Sequence, residues 1–410
     1  MGKIVQIDGG VTAARGFLAS NAAAGIKYPD RDDMAMIFSE KPCVLAGTFT
    51  RNVVKAAPVL WDRKLVEDGK PVRAVVVNAG IANACTGEEG YHYCRATAEA
   101  AASSLSVEPE EICVASTGVI GMQLPMDRVA EGVRLLADGL SETREAANLA
   151  ARAIMTTDTR PKEAAVELVI QGKKIRIGGM AKGSGMIHPD MCTMLSFVAT
   201  DALIARELLQ EALSDVVEDT FNMISVDGDT STNDTCLIMA NGQAGNEVIR
   251  DRDEAYFQFK SGLHLVLRDL ARMMAGDGEG ATALMEVCVK NAACDKDARL
   301  LAKSVITSSL TKAAIFGHDA NWGRILCALG YAGTDFDPLA VDICIQSASG
   351  SLMLVRNGVA ENYSEEEASS ILANEEVTIL CDMHQGAAEA TAWGCDLTYE
   401  YVKINADYRS

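Results

Sequence analysis

The sequence predicts an α/β or α+β fold, arranged as one large two-lobed body or as two domains. Short β-branched runs alternate with amphipathic helical windows along the whole chain, which is the pattern of strands and helices sharing a core. At 410 residues the chain exceeds the usual size of a single core. Its 49% hydrophobic and 23% charged residues are the composition of a folded globular protein.

Taken in order, residues 74–77 read as a strand, 90–104 as a helix, 112–115 as a strand and 126–140 as a helix. Residues 165–177 read as a strand pair, followed by an apolar run over 194–199. The second half continues with a helix over 203–219, a strand over 235–240 and a long helix over 253–274. Strands 342–346 and 351–355 flank Ser347-Ala348-Ser349-Gly350, the composition of a hairpin turn. No repeat of fixed period and no Pro- or Ser-rich linker marks a boundary.

Charge and composition exclude several function classes. A net charge of −20, with Lys and Arg scattered, opposes nucleic acid as a partner, because phosphate binding needs a basic face. No apolar stretch reaches bilayer length and no secretory signal is visible, so neither a membrane nor an export route is expected. The twelve cysteines occur singly, without a CxxC pair, and several sit in apolar runs such as Ile112-Cys113-Val114. They read mostly as buried free thiols in a reducing cytoplasm. His92, His264, His318 and His384 pair with no Ser or Cys in a nucleophile motif, and no zinc spacing occurs, so no metal is expected.

The segment Gly178-Gly179-Met180-Ala181-Lys182-Gly183-Ser184-Gly185-Met186 breaks the pattern and reads as a glycine-dense loop. Glycine at that density opens backbone amides to a ligand. On its own it could be a structural turn or a phosphate loop, although the order GxxxxGK[ST] is absent because Lys182 precedes Gly183. The loop continues as His188-Pro189-Asp190-Met191-Cys192-Thr193-Met194-Leu195-Ser196-Phe197.

This stretch resembles the activation loop of the ornithine acetyltransferases, in which Met-Ala-Lys-Gly-x-Gly-Met leads to a Thr-Met-Leu strand. Further blocks match that family in order: Ala24-Gly25-Ile26-Lys27, Thr48-Phe49-Thr50, Asn78-Ala79-Gly80-Ile81-Ala82-Asn83-Ala84, Ser116-Thr117-Gly118-Val119-Ile120-Gly121, Met155-Thr156-Thr157-Asp158-Thr159, Val226-Asp227-Gly228-Asp229-Thr230-Ser231-Thr232-Asn233-Asp234-Thr235, and Asp319-Ala320-Asn321-Trp322-Gly323-Arg324. The matches span the chain. It departs from the family pattern at His188, where a small residue is more usual, at Asp190, where Asn or a similar residue stands, and at Cys192, where Ala stands.

The resemblance implies a two-lobed, self-cleaving acyltransferase fold and a place in cyclic arginine biosynthesis. It implies self-cleavage between Cys192 and Thr193, giving an α chain of residues 1–192 and a β chain of residues 193–410. Thr193 would then be the nucleophile, Thr117 and Gly118 the oxyanion hole, and Thr156, Lys182, Thr193, Glu279, Asn405 and Ser410 the substrate contacts. The substrates implied are N-acetylornithine and glutamate, with acetyl-CoA as a further acetyl donor in some members, no cofactor, and a heterotetramer of two α and two β chains.

The residue chemistry agrees with these roles. A threonine hydroxyl is a weak nucleophile that needs a base within reach. Cleavage would supply one, since a new α-amine has an unperturbed pKa of roughly 7.7 to 8. Lys182 is the natural cation for an amino-acid carboxylate, and the Glu279 carboxylate could hold the ornithine ammonium. Two rival readings stay open: a hydrolase that hands its acyl group to water, and a non-catalytic amino-acid-binding protein.

Overall fold

The alternation of strands and helices condenses into two sheets, each in its own unit. The computed structural model describes residues 3–27, 29–188 and 194–407. One unit comprises Met1–Gly183, Pro189–Phe221 and Thr230–Leu270, the other Ser184–His188, Asn222–Asp229 and Ala271–Ser410. These units do not coincide with the expected 1–192 and 193–410 chains, since each draws on both.

The first unit is built on a nine-stranded sheet. Its strands run Val5–Ile7, Lys162–Ile170, Lys173–Lys182, Leu195–Thr200, Thr235–Ala240, Met34–Phe49, Val72–Ile81 and Ile112–Val119, with Phe17–Ala22 also paired to Met34–Phe49. Leu195–Thr200 and Thr235–Ala240 are parallel neighbours and every residue of both is buried. Continuous burial of this kind is what a strand covered on both faces requires. The helices cover the sheet through apolar stripes at helical spacing. Arg206–Asp219 buries Leu208, Leu209, Ala212, Leu213, Val216 and Val217, and Met126–Asp138 buries Val129, Val133 and Leu136. The predicted helices 90–104 and 253–274 correspond to Gly87–Leu105 and Glu254–Gly276.

One expectation is corrected here. The first half of the glycine-dense segment, from Gly178 to Lys182, is strand and not loop, and it lies buried in the Lys173–Lys182 strand. The glycines serve close approach: a Cβ on Gly178 would lie 2.1 Å from the Gly10 carbonyl oxygen, and one on Gly179 would lie 3.2 Å from Leu270 Cδ1. Glycine is the residue that lets another backbone come so near a strand.

The second unit holds a seven-stranded sheet, ordered Val359–Ala360, Gly350–Arg356, Asp342–Ser347, Glu376–Asp382, Leu284–Ala292, Ala388–Cys395 and Ile224–Ser225. The hairpin expected around Ser347-Ala348-Ser349-Gly350 forms, closing with Ser347 opposite Gly350. Helix Asp295–Thr307 packs on Leu284–Ala292 and Ala388–Cys395. Ser308 ends that helix and caps the next, Ser309–Phe316, its Oγ accepting from the Thr311 amide at 3.2 Å.

Every described cysteine is a free thiol. Cys43, Cys94, Cys113, Cys236, Cys381 and Cys395 are buried as expected, whereas Cys85, Cys294 and Cys327 are exposed, because they fall in loops or on the outer face of a helix. Among the described residues, no helix is long and apolar enough to cross a membrane.

Candidate active site

In the first unit three of the expected residues meet: one from the Lys173–Lys182 strand, one from the Ile112–Val119 strand and one from the loop before Lys162–Ile170. Lys182 is the last residue of its strand and is only 7% exposed. Its Nζ donates to Thr156 Oγ1 at 2.7 Å and to Thr117 Oγ1 at 3.3 Å. With its oxygen accepting from the ammonium, the Thr117 hydroxyl keeps its own hydrogen for another acceptor. Such a donor can stabilise a developing oxyanion.

Thr117 and Gly118 end the Ile112–Val119 strand in register with Ala79 and Gly80. Gly118 has φ +130°, and a Cβ there would stand 2.2 Å from the Gly80 carbonyl carbon. Only glycine tolerates both the conformation and the contact. Asn233 fixes this edge further, its Nδ2 donating to the Ala82 and Ser116 carbonyl oxygens at 2.6 and 2.8 Å.

Asp158, quoted in a sequence block but given no role there, organises the cluster. Its Oδ1 accepts from Lys162 Nζ and the Gly183 amide, both at 2.7 Å, and its Oδ2 accepts from the Thr156 amide at 3.1 Å and lies 3.8 Å from Lys182 Nζ. The Asp158 and Lys162 side chains are both fully buried. Burial works to raise the Asp158 pKa, but the charges of Lys182 and Lys162 and the hydrogen bonds from Lys162 and Gly183 outweigh it and hold the carboxyl well below the usual carboxylate range.

In the second unit, Glu279 is buried at 6% exposure and its Oε2 accepts from Asn405 Nδ2 at 2.7 Å. This places two of the expected substrate contacts together, with the Glu279 carboxylate buried. Gly185 makes room for it, because a Cβ there would lie 2.4 Å from Glu279 Cδ. The Glu279 amide donates to the Ser184 carbonyl oxygen at 3.0 Å, and Ser184 Oγ donates to the Asp277 carbonyl oxygen at 2.7 Å.

Asp227 secures the following residues. It accepts from the Met186 and Ile187 amides at 2.6 and 2.9 Å and from the Tyr401 hydroxyl at 3.2 Å. Burial, and then the negative charge of Asp227, push the Tyr401 phenol well above its ordinary value. Tyr401 and Asn405 both belong to the helix Tyr399–Ala406. His188 Nδ1 lies 3.2 Å from Ser225 Oγ, so the segment just before residues 189–193 is held in several places.

Cys192, Thr193 and Ser410 lie outside the described residues, as does Asp190. Asp158, Asp227 and Tyr401 are the functional candidates that sequence reasoning missed. The acidic residues of Val226-Asp227-Gly228-Asp229 and Met155-Thr156-Thr157-Asp158 were visible as motif members, but what they bind is set by pairings distant in sequence. Among the described residues, no group of three or more His, Cys, Asp and Glu side chains is arranged to hold a metal ion.

Polar donors at a glycine-shaped strand end, backed by a buried lysine, could serve an enzyme that stabilises a developing oxyanion during acyl transfer. The sequence profile described as the ArgJ family matches residues 18–410. The arginine biosynthesis bifunctional protein ArgJ 1 of Clostridium acetobutylicum is 51% identical over 394 residues, covering 96% of this chain and 96% of its own. The arginine biosynthesis bifunctional protein ArgJ of Symbiobacterium thermophilum is 52% identical over 406 residues, covering 98% and 99%. Among solved structures, the ornithine acetyltransferase of Mycobacterium tuberculosis complexed with ornithine is 43% identical, covering 46% of this chain and 99% of its own, with a TM-score of 0.43. The chain belongs to the ArgJ family, acyltransferases of arginine biosynthesis.

Proposed function

We propose that this protein moves an acetyl group from N-acetylornithine to glutamate through an acetyl ester on Thr193, after cleaving its own chain between Cys192 and Thr193. In the cleavage step the Thr193 hydroxyl attacks the Cys192 carbonyl carbon, the peptide nitrogen leaves as the new α-amine, and water hydrolyses the resulting ester. That amine then serves as the base for its own hydroxyl, its unperturbed pKa of roughly 7.7 to 8 suiting proton exchange near neutrality.

Each half of the transfer cycle passes through a tetrahedral oxyanion. The Thr117 hydroxyl and the Gly118 amide stabilise it, with Lys182 aligning Thr117. In the first half the Thr193 oxygen bonds to the acetyl carbon and the ornithine nitrogen leaves with a proton. In the second, the glutamate amine takes the acetyl group and the threonine oxygen is released. The Glu279 carboxylate receives the ornithine ammonium, and Thr156, Asn405 and Ser410 are the further substrate contacts that the family resemblance implies. The observation that carries this reading is Lys182 Nζ bridging Thr156 and Thr117 at 2.7 and 3.3 Å in a buried setting. A free surface lysine would have no such partners.

Acetyl-CoA is proposed as a second donor to the same oxygen, in keeping with the word bifunctional in the relatives' names. The two fragments remain associated and pair into an assembly of two α and two β chains in the cytoplasm, where free thiols persist. No cofactor takes part. With N-acetylornithine as donor, N-acetylglutamate should form in step with ornithine, and Thr193→Ala should abolish both cleavage and transfer. Release of free acetate in place of N-acetylglutamate would make the enzyme a hydrolase instead.

A further inference from the structure

Asp234 is the one carboxylate of the Thr230-Ser231-Thr232-Asn233-Asp234-Thr235 block, and its position in the first unit goes unused by the chemistry above. It is 1% exposed and precedes Thr235, the residue in register with Leu195 at the start of the Leu195–Thr200 strand. The Thr235 amide donates to the Met194 carbonyl oxygen at 2.8 Å, and the Asp234 carboxyl in turn takes a hydrogen bond from the Met194 amide. Met194 is therefore held at both its carbonyl oxygen and its amide by two consecutive residues. Ser231 and Thr50 also bond to the carboxyl, while the Thr50 amide donates to the Asp234 carbonyl oxygen at 3.0 Å. The second carboxyl oxygen, Oδ2, has no hydrogen-bond partner among the described residues. Asn233, next in sequence, holds the Ser116 carbonyl oxygen.

We propose that Asp234 is a positioning residue for acyl transfer, fixing through the Met194 amide the start of the strand that the nucleophile immediately precedes. The inference rests on Thr193 being that nucleophile. Full burial raises the Asp234 carboxyl well above the ordinary range, outweighing the hydrogen bonds and the Lys182 charge. Asn233 and Asp234 together tie the oxyanion-hole edge and the nucleophile strand to one segment.

Asp234→Asn keeps an acceptor oxygen for Met194 and no charge, while Asp234→Ala removes the acceptor. With N-acetylornithine and glutamate, Asp234→Ala should lower kcat by about 10 to 100-fold with little change in either KM, the loss expected of a slightly misplaced nucleophile. Asp234→Asn should stay within about 3-fold of wild type, with the same pH profile of kcat, because the neutral hydrogen bond is worth only a small factor when conserved. Thermal unfolding of both variants separates a misfolded chain from a misaligned one, and the asparagine form alone decides the point if the alanine form does not fold. The inference is overturned if Asp234→Ala equals wild type, or if Asp234→Asn is disabled with a displaced pH profile, the mark of a required carboxylate. Failure of the nucleophile assignment looks different: wild type itself would then turn over without a free Thr193 terminus.

Discussion

The two polar clusters are built to opposite plans. In the first unit, Thr117, Thr156, Lys182 and Asp158 sit on or beside sheet strands, with Asp158 and Lys162 fully buried as an ion pair. In the second, Glu279 and Asn405 come from a loop and from the helix Tyr399–Ala406, which has no fully buried residue of its own. Groups that must meet a transition state gain from rigid strands, because small misplacements are costly. Groups that hold a substrate's far end can sit on a lightly packed element that adapts. The contrast predicts losses of folding and kcat in the first unit and losses of substrate affinity in the second.

The largest effect should come from Lys162→Met. Removing the fully buried partner leaves Asp158 with only the more distant Lys182 charge at 3.8 Å, which costs up to about 3–5 kcal/mol of stability, readable by urea or thermal unfolding. The same pair sets an acid limit. The folded Asp158 pKa is depressed, so its stabilisation is present above the unfolded carboxylate range near 3.8 and is lost as pH falls below that toward the folded value. Stability measured from neutral to acidic pH should therefore drop less steeply in Asp158→Asn than in wild type.

Lys182→Met should lower kcat by about 10² to 10³-fold, the usual cost of losing one oxyanion-stabilising arrangement, with a smaller change in KM. A pure KM effect would assign Lys182 to ground-state binding of the substrate carboxylate and break the contrast between the clusters. Glu279→Gln should act in the reverse sense, raising KM for N-acetylornithine by about 10 to 100-fold through loss of a charge-assisted hydrogen bond while kcat changes less. Asn405→Ala should be the mildest, raising the same KM by about 10-fold at most, because a neutral hydrogen bond is worth about 1 kcal/mol. Steady-state kinetics with both substrates varied distinguishes all three.

Much of this was legible in the chain. The helices at Gly87–Leu105 and Met126–Asp138 declare themselves by apolar spacing, and the hairpin at Ser347 to Gly350 by its turn residues. Thr117, Thr156 and Lys182 could be named from motifs, and they do meet. The run from Gly178 to Lys182 was misread because glycine signals a turn from sequence, while here it admits a second backbone to a strand, a long-range fact absent from local pattern. Asp158 and Asp227 stayed without roles for a related reason. Their partners include Gly183 and Lys162 in one case and Met186, Ile187 and Tyr401 in the other, and no spacing rule links Asp227 to Tyr401.

The account turns on Thr193 carrying the acetyl group. Enzyme given N-acetylornithine without glutamate, quenched in acid and mapped by mass spectrometry, tests this directly. The prediction is one ester-linked acetyl on Thr193 as the first residue of the 193–410 fragment, discharged as N-acetylglutamate when glutamate is added. An active, uncut 410-residue chain, or an acetyl group trapped on any other side chain, would contradict it.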